Sequence, residues 1–538
     1  MASAPDDARA ENTRASKLRW PLVLASLCAL VFLTHLTLLD LPYYWDEAGY
    51  FIPAARDIYA DGALVPHSTL SNAHPPLVPL YLALAWKLFG FHIAVARAAM
   101  LLVSALALGG VFRLAERVAN GGVAAASVLC TALYPVFFAQ SSLAHLDMAV
   151  AALTVWGLVL YLPRGTRREA DGDSRTDEQG GEQVTTTDRR DFRRWSSVAL
   201  FALAGLAKET AILVPLTLFG WELLCLLAGR RPKLAAAICL KDERSIRRAS
   251  MMLCALVPLA LWFAYHYTQT GYVFGNPEYF RYNVESTVNP SRILEALWRR
   301  LGHVTAHMNL WVLTLAAALA MLLPARSDEG RERRRIEVPV QILFGVLVVA
   351  HVVALSVVGG AILARYMLPV LPLVVIVCVS TLWRRVPVWP LVIALACGTF
   401  AYRSTHNPSY NFPWEENLAY RDFILLHRDA ARVLAEKHPQ ARVLTAWPAT
   451  DELKNPYYGY LERPVQVFPV ENFKREALQQ AALQKSHFDL AFLYSTHGGL
   501  ELEEAARVLG GVVIYNSQRN GQWAAILEVS RLEVSSER

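Results

Sequence analysis

The chain has 538 residues, of which 54% are hydrophobic and 18% are Asp, Glu, Lys or Arg, and its mean hydropathy is +0.28. A soluble domain is about one quarter charged, so this composition excludes an ordinary soluble protein and indicates long membrane segments. The formal net charge is +6, but the basic residues lie in short loops between apolar runs without interleaved aromatic residues, which excludes a nucleic-acid partner.

Apolar runs of spanning length predict about 11 transmembrane helices. The first follows a basic tail of residues 1–19, is longer than a signal-peptide core and lacks a cleavage motif. We therefore expect it to be retained, with the N-terminus in the cytoplasm. The predicted spans are residues 20–39, 93–115, 121–139, 147–162, 195–208, 210–228, 249–267, 305–324, 338–358, 367–382 and 387–402.

The arginines and lysines of the loops collect on alternate sides of these spans, which defines the cytoplasmic side. Arg299 and Arg300 are exceptions, because they fall on the predicted outer side. The pattern requires that Pro75–Gly90, a short stretch with three prolines, does not cross the membrane, and we predict an interfacial helix there. The polar loop 163–194 is predicted to be a disordered cytoplasmic insert.

The character of the sequence changes after Tyr402, at the end of the predicted membrane domain 20–402. Residues 403–538 contain no spanning run and alternate between strand and helix patterns, which predicts a small extracytoplasmic α/β domain. Strands are predicted at residues 442–447, 465–469, 488–494, 512–516 and 523–529, and helices at residues 416–437, 472–484 and 500–509.

Charged groups lie at the predicted outer ends of several spans, where an ionisable side chain needs a partner or water. Each has an ordinary explanation, such as an acid at a helix start, an ion pair closing a turn or a snorkelling arginine. All of them nevertheless fall on one face of a topology that was defined by loop charge alone. They are Asp46 and Glu47 in a Trp-Asp-Glu motif, His74 in His-Pro-Pro-Leu, Asp147 at the mouth of a span, Lys208 and Glu209 at a hairpin tip, and Arg365 and Tyr366.

Two carboxylates and two cations at a membrane surface suit the chemistry of a phosphate-bearing lipid. Cations such as Lys208 and Arg365 can hold the phosphate and offset the charge that develops on it as it leaves. A carboxylate such as Asp46 or Asp147 can accept the proton of an attacking hydroxyl group. The residues therefore favour an enzyme that acts on a lipid phosphate.

This set of motifs, in this order over residues 20–400, resembles the GT-C superfamily. The resemblance is to the branch of protein O-mannosyltransferases and lipid A aminoarabinose transferases. It implies an inverting glycosyltransferase that moves a sugar from a polyprenyl-phosphate donor to a hydroxyl group of a lipid, glycan or protein. The active site would face the periplasm, in a multi-pass protein of the bacterial inner membrane.

The resemblance also implies roles for individual residues. Asp46 would activate the acceptor hydroxyl, Asp147 would be a second acid, and Lys208 with Arg365 would hold the carrier phosphate. It leaves open a divalent metal ion and the positioning of substrate or metal by Glu47, His74, Glu209 and Tyr366.

Two other functions compete with a transferase. A transporter or flippase of lipid-linked sugars would line a pathway with charges and is often built from inverted repeats, which are not visible in this sequence. A scaffold that only displays the C-terminal domain would leave Asp46, Asp147, Lys208 and Arg365 unexplained.

Overall fold

The computed structural model describes residues 4–163, 186–240, 245–283, 289–358, 360–406 and 413–529. Most of the predicted disordered insert lies outside these ranges. The helices of the N-terminal part are Ala4–His35, Ile52–Asp61, Leu77–Phe89, Ile93–Val118, Gly121–Leu133, Pro135–Gln140, Leu146–Tyr161, Thr186–Ala207, Leu213–Ala228, Pro232–Ile238, Ile246–Leu253, Val257–Thr270, Pro277–Asn283, Pro290–Thr305, Leu310–Ala320, Val338–Val358, Leu371–Arg385 and Trp389–Thr405.

Six helical segments of the described chain are long and apolar enough to cross a membrane. Each of the other predicted spans also coincides with helical structure, but the helices Gly121–Leu133 and Leu146–Tyr161 have only 13 and 16 residues. A multi-span helical membrane protein is thus confirmed, and the number of eleven spans stays a prediction. The six segments are Trp20–Leu38, Ile93–Val118, Glu209–Ala228, Ile246–Thr270, Pro290–Ala320 and Val338–Val358.

Two of the predicted helices lie next to the predicted outer surface, and their observed bounds differ in how well they match the prediction. Helix Leu77–Phe89 has 13 residues, which is about 20 Å and shorter than the hydrocarbon core, as expected for an interfacial helix. The span predicted at 305–324 was placed too late, because the helical segment already begins at Pro290 and bends near Met308, where φ is +49°. Arg300 therefore lies inside a helix and not in a loop.

Small residues let the helices of the membrane part pack closely. A Cβ atom at Gly157 would lie 2.5 Å from the ring of Phe201, so helix Leu146–Tyr161 meets helix Thr186–Ala207 at this glycine. Gly110 makes a similar contact with Trp156, at 3.2 Å from its would-be Cβ atom. These contacts fix the helix that carries Asp147 between its neighbours.

A five-stranded mixed sheet forms the C-terminal α/β domain, as predicted. Strands β1 (Ser327–Asp328) and β2 (Arg331–Glu332) pair only with each other in a cytoplasmic-side loop of the predicted topology. The domain consists of β3 (Arg442–Thr445), β4 (Gln466–Pro469), β5 (Leu490–Tyr494), β6 (Gly511–Arg519) and β7 (Gln522–Val529), with helices Ala419–Lys437, Ala449–Lys454, Arg475–Ala482 and Leu502–Leu509.

The sheet has the order β4-β3-β5-β7-β6, in which β3 pairs in parallel with β4 and β5 while β7 pairs antiparallel with β5 and β6. Every residue of β5 is buried, which fits its wholly apolar sequence and its central place in the sheet.

The C-terminal domain contacts the loop that follows the first helix. Tyr458 accepts a hydrogen bond from the amide of Tyr43 (3.0 Å) and donates one from its hydroxyl to the carbonyl of Ala48 (2.6 Å). Between these two points, the ring of Tyr44 packs on Phe423 at 5.4 Å between centroids. The domain therefore holds the segment that carries Asp46 and Glu47.

Candidate active site

The segment around Asp46 has an uncommon backbone. Trp45 lies in the left-handed region with φ +45°, and a π-helical turn, Glu47–Phe51, begins directly after Asp46. Both features store strain and are frequent at functional sites. They set Asp46 at the start of a helical turn, with its side chain 36% exposed.

The guanidinium group of Arg365 is the centre of the site. One terminal nitrogen bonds the carboxylate of Asp46, and the other bonds Glu415 and lies 3.2 Å from Nδ1 of His145. Its Nε atom lies 3.5 Å from the carboxylate of Asp147. The arginine thus gathers acids from distant parts of the chain, and two of them, Asp46 and Asp147, are acids that the sequence predicted.

Lys208 joins this cluster from a tight turn. Helix Thr186–Ala207 ends just before it, Lys208 is extended, and Glu209–Ile212 form one 3-10 turn before the next helix, which is the predicted hairpin. The ammonium group of Lys208 donates to Asp147 at 2.7 Å and lies 3.8 Å from the ring centroid of Tyr366. A cation over an aromatic face is electrostatically favourable.

Arg300 is a site residue that the sequence analysis did not select. Its guanidinium lies 5.7 Å from the ring centroid of Tyr366, on which Lys208 and Arg365 also converge. Arg300 is fully buried and donates to the carbonyl of Ala361 (3.0 Å), but its Nε and Nη1 atoms have no hydrogen-bond partner among the described residues. Its place as an exception to the loop-charge pattern was a signal in the sequence from which no site role was inferred.

Glu415 is the second residue that was missed. It lies between the last membrane helix and the sheet domain, has φ +59°, and is fixed where the side-chain amide of Gln140 donates to its carbonyl at 2.9 Å. Burial raises the pKa of Glu415 to about 8, against the opposing effect of Arg365. Glu415 lies in a Trp-Glu-Glu sequence, which is similar in residue types to the Trp-Asp-Glu motif at Trp45. The sequence analysis did not select it, because it lies in the segment assigned to the C-terminal domain.

Glu47 is engaged within the protein. Its two carboxylate oxygens accept hydrogen bonds from the two terminal nitrogens of Arg97, at 2.5 and 2.9 Å, and both side chains are buried. Arg97 donates further to the carbonyls of Pro42 (2.9 Å) and Ser142 (3.0 Å). Through its bonds to Pro42 and Glu47, Arg97 ties the chain on both sides of Asp46 to helix Ile93–Val118.

We expect Arg97→Lys to lower the free energy of unfolding by about 1–3 kcal/mol, because one ammonium group cannot serve both carboxylate oxygens and the carbonyls. The measurement is thermal unfolding of the purified protein in detergent. Arg113→Lys is the control, since Arg113 makes an exposed ion pair with Glu116. Equal unfolding temperatures for both variants and the wild type would contradict this role.

His74 and Glu209 form a pair beside Lys208. Nδ1 of His74 lies 3.0 Å from the carboxylate of Glu209, and its Nε2 lies 3.4 Å from the hydroxyl of Tyr279. The side chain of Glu209 is 30% exposed. These groups can offer hydrogen bonds to a polar substrate next to the cluster around Arg365.

Asp46, His145 and Glu415 place one donor atom each within 4.8 Å of one another, which is the spacing of a metal site. Arg365, however, donates to both carboxylates of this set and lies beside the histidine nitrogen. In this structure the guanidinium of Arg365 supplies the positive charge among these three groups.

Comparison with known proteins supports the fold. A family model described as dolichyl-phosphate-mannose-protein mannosyltransferase matches residues 73–169. The structure of ArnT from Cupriavidus metallidurans in the apo state aligns with a TM-score of 0.55 at 16% identity, covering 96% of this chain and 98% of that chain. ArnT bound to undecaprenyl phosphate aligns with a TM-score of 0.53 at 16% identity, covering 95% and 98%.

No curated protein sequence matches the chain. The family model nevertheless covers the region that contains His74, Arg97 and Asp147. The fold match extends over nearly the full length of both chains, including the sheet domain. The predicted resemblance is therefore confirmed: the chain is a multi-pass membrane protein with the fold of the GT-C glycosyltransferases.

Proposed function

We propose that the chain transfers a sugar from a polyprenyl-phosphate carrier to a hydroxyl group of an acceptor, at the periplasmic face of a bacterial inner membrane. The observation that carries the proposal is the meeting of an exposed carboxylate, Asp46, with the buried cations Lys208, Arg300 and Arg365 around the ring of Tyr366. The cations can bind an anionic lipid headgroup, and the carboxylate can accept the proton of an acceptor hydroxyl group.

The donor phosphate is proposed to bind among these cations. Two buried nitrogens of Arg300 have no hydrogen-bond partner in the described part of the chain, and burial of a donor without an acceptor costs free energy that an incoming phosphate oxygen would recover. Lys208 and Arg365 complete the charge that stabilises the phosphate as it leaves. The similar structure of ArnT with bound undecaprenyl phosphate supports a carrier of this kind.

Asp46 is the best placed base. Its side chain is 36% exposed, whereas those of Asp147 and Glu415 are 6% and 4% exposed. Only Asp46 among these acids can meet a hydroxyl group that arrives from outside. Asp147 instead accepts from Lys208 at 2.7 Å and helps to position that cation.

The proposed transfer forms one bond to the anomeric carbon of the sugar and breaks another. The acceptor oxygen forms a bond to the anomeric carbon while its proton passes to Asp46. The bond from that carbon to the phosphate oxygen breaks, and its electron pair leaves with polyprenyl phosphate. Attack opposite the leaving phosphate inverts the configuration.

Arg365 connects the proposed base with the proposed phosphate site, because the same guanidinium bonds Asp46 and lies near Asp147. A donor phosphate that draws the guanidinium away from Asp46 would leave that carboxylate free to bond the acceptor hydroxyl group. Donor binding would thereby prepare the acceptor reaction.

The orientation of the protein in the membrane is also part of the proposal. The loop-charge pattern puts the N-terminal tail in the cytoplasm and the sheet domain outside. Asp46 and Glu415 lie beside that domain, so the site and the domain share one side.

The test is reconstitution of the full chain in vesicles with labelled polyprenyl-phosphate sugars, followed by release of sugar from the carrier. Candidate acceptors are a lipid, an oligosaccharide and a Ser/Thr peptide. Acceptor-dependent release supports a transferase. Movement of the intact donor between leaflets without release would overturn the proposal in favour of a flippase.

We expect Arg300→Met to raise the KM for the donor by about tenfold or more, because charge-assisted hydrogen bonds to the phosphate are lost. The neighbouring Arg299→Met is a matched control, since Arg299 is 60% exposed and pairs with Glu295. The measurement is initial rate against donor concentration in the same vesicles. Equal KM values for both variants would remove Arg300 from the phosphate site.

A further inference from the structure

Two exposed tryptophans of the C-terminal domain lie beside the site. The domain contains Trp414, Trp447 and Trp523. Trp414 and Trp447 are 41% and 38% exposed, whereas Trp523 is buried in the sheet. An exposed tryptophan is a costly surface residue, and Trp447 contacts the segment that carries Asp46.

The indole of Trp447 is held firmly on one side. A Cβ atom at Gly49 would lie 3.1 Å from this ring, so the backbone of the first loop packs closely on the indole. The ring of Trp45 packs against it edge-on, with centroids 4.3 Å apart. These contacts fix the position of the indole, while 38% of Trp447 stays exposed.

This surface adjoins the proposed base. The amide of Gly49 bonds the carbonyl of Trp45 at 2.8 Å, so the two residues that contact Trp447 bracket the turn that starts with Asp46. Trp414 directly precedes Glu415, which shares the guanidinium of Arg365 with Asp46. The ring of Trp447 therefore lies beside the turn that begins with Asp46.

We propose that Trp447, together with Trp45, forms the acceptor subsite and that the acceptor is a carbohydrate. The inference rests on the proposed glycosyl transfer. A pyranose ring has a face of C–H groups, which packs on the negative face of an aromatic ring, and a rim of hydroxyl groups. A sugar stacked on Trp447 can direct one of these hydroxyls to Asp46.

The other acceptor classes fit this surface less well. An extended peptide is usually recognised through hydrogen bonds to its backbone. Trp45 and Trp447 instead offer aromatic surface at the turn that begins with Asp46, and 38% of Trp447 is exposed. An acyl chain is held at membrane depth, whereas Trp447 belongs to the sheet domain, directly after β3.

The experiment compares wild type, Trp447→Phe and Trp447→Ala in vesicles with a saturating labelled donor. The acceptors are an oligosaccharide series with mannose, glucose or galactose at the non-reducing end and a Ser/Thr peptide. Initial rates at varied acceptor concentration give the acceptor KM, and a second series at varied donor concentration with saturating acceptor gives the donor KM. Leu483→Ala is the control, since Leu483 is 88% exposed in the same domain and has no place in the proposed subsite.

We expect transfer to an oligosaccharide, with an acceptor KM about tenfold higher in Trp447→Ala and intermediate in Trp447→Phe, and with little change in the donor KM. Transfer to the peptide alone, or an unchanged acceptor KM in the alanine variant, would overturn the proposal. If the alanine variant does not fold, an unchanged acceptor KM in Trp447→Phe overturns it. Absence of sugar release from every donor in wild type would instead refute the transferase itself, and the subsite with it.

Discussion

Asp46→Asn is expected to lower sugar transfer by about 10²–10⁴-fold, because an amide cannot accept the proton of the attacking hydroxyl group. The substitution preserves the size of the side chain at the turn that begins with Asp46. It also removes the carboxylate that bonds Arg365, which leaves that guanidinium free for the donor phosphate. Donor binding should therefore be retained or tightened while turnover is lost.

The measurement for this variant is single-turnover sugar release together with donor binding in the same preparation. Asp61→Asn is the matched control, since Asp61 belongs to the same outer loop but is 51% exposed and pairs with His67. We expect the control to keep full activity. Normal turnover in Asp46→Asn would move the base elsewhere, and loss of donor binding would make Asp46 a structural residue.

Arg365→Lys is expected to reduce turnover by about 10²–10³-fold, the usual effect of removing one preorganised donor from a reacting centre. Lysine keeps the charge but loses the planar fork. Arg365 uses both ends of that fork, one on Asp46 and the other on Glu415, and it also approaches Asp147. A point charge cannot hold these acids in the same arrangement.

The informative readout is the ratio of kcat to donor KM, measured beside Arg384→Lys. Arg384 pairs with Glu332 on the predicted cytoplasmic side and should tolerate the change. A fall in kcat with a raised donor KM fits an arginine that serves both the base and the phosphate. If both variants keep wild-type kinetics, Arg365 has no part in the reaction.

Much of this site could be predicted from sequence, because an ionisable side chain in an apolar membrane segment costs free energy and is therefore rare there unless it has a function. Asp147, Lys208 and Arg365 interrupt apolar runs, and an ionisable group there needs a reason. Their common face followed from the positive residues of the loops. The strands of the C-terminal domain were also predictable, since their apolar and β-branched runs are bounded by turn residues.

Glu415 and Arg300 were not identified from the sequence, because local patterns do not describe their contacts. Glu415 reaches Arg365 from a segment 50 residues further along the chain, and no local periodicity describes that contact. Arg300 was assigned to a loop because the hydrophobic run after it dominates the pattern, whereas the helix already starts at Pro290. In the same way, Glu47 was grouped with Asp46 by adjacency, although a helical turn sends their side chains to different partners, Arg97 and Arg365.

The contact between Tyr458 and Ala48 has a consequence for biogenesis. A ribosome delivers the membrane helices well before residues 413–529 have been made. Until that last domain folds, neither Tyr458 nor Glu415 is in place to hold the first loop and Arg365. We therefore expect nascent or truncated chains to insert in the membrane yet lack the proposed activity, which would arise only when the last domain has closed on the first loop.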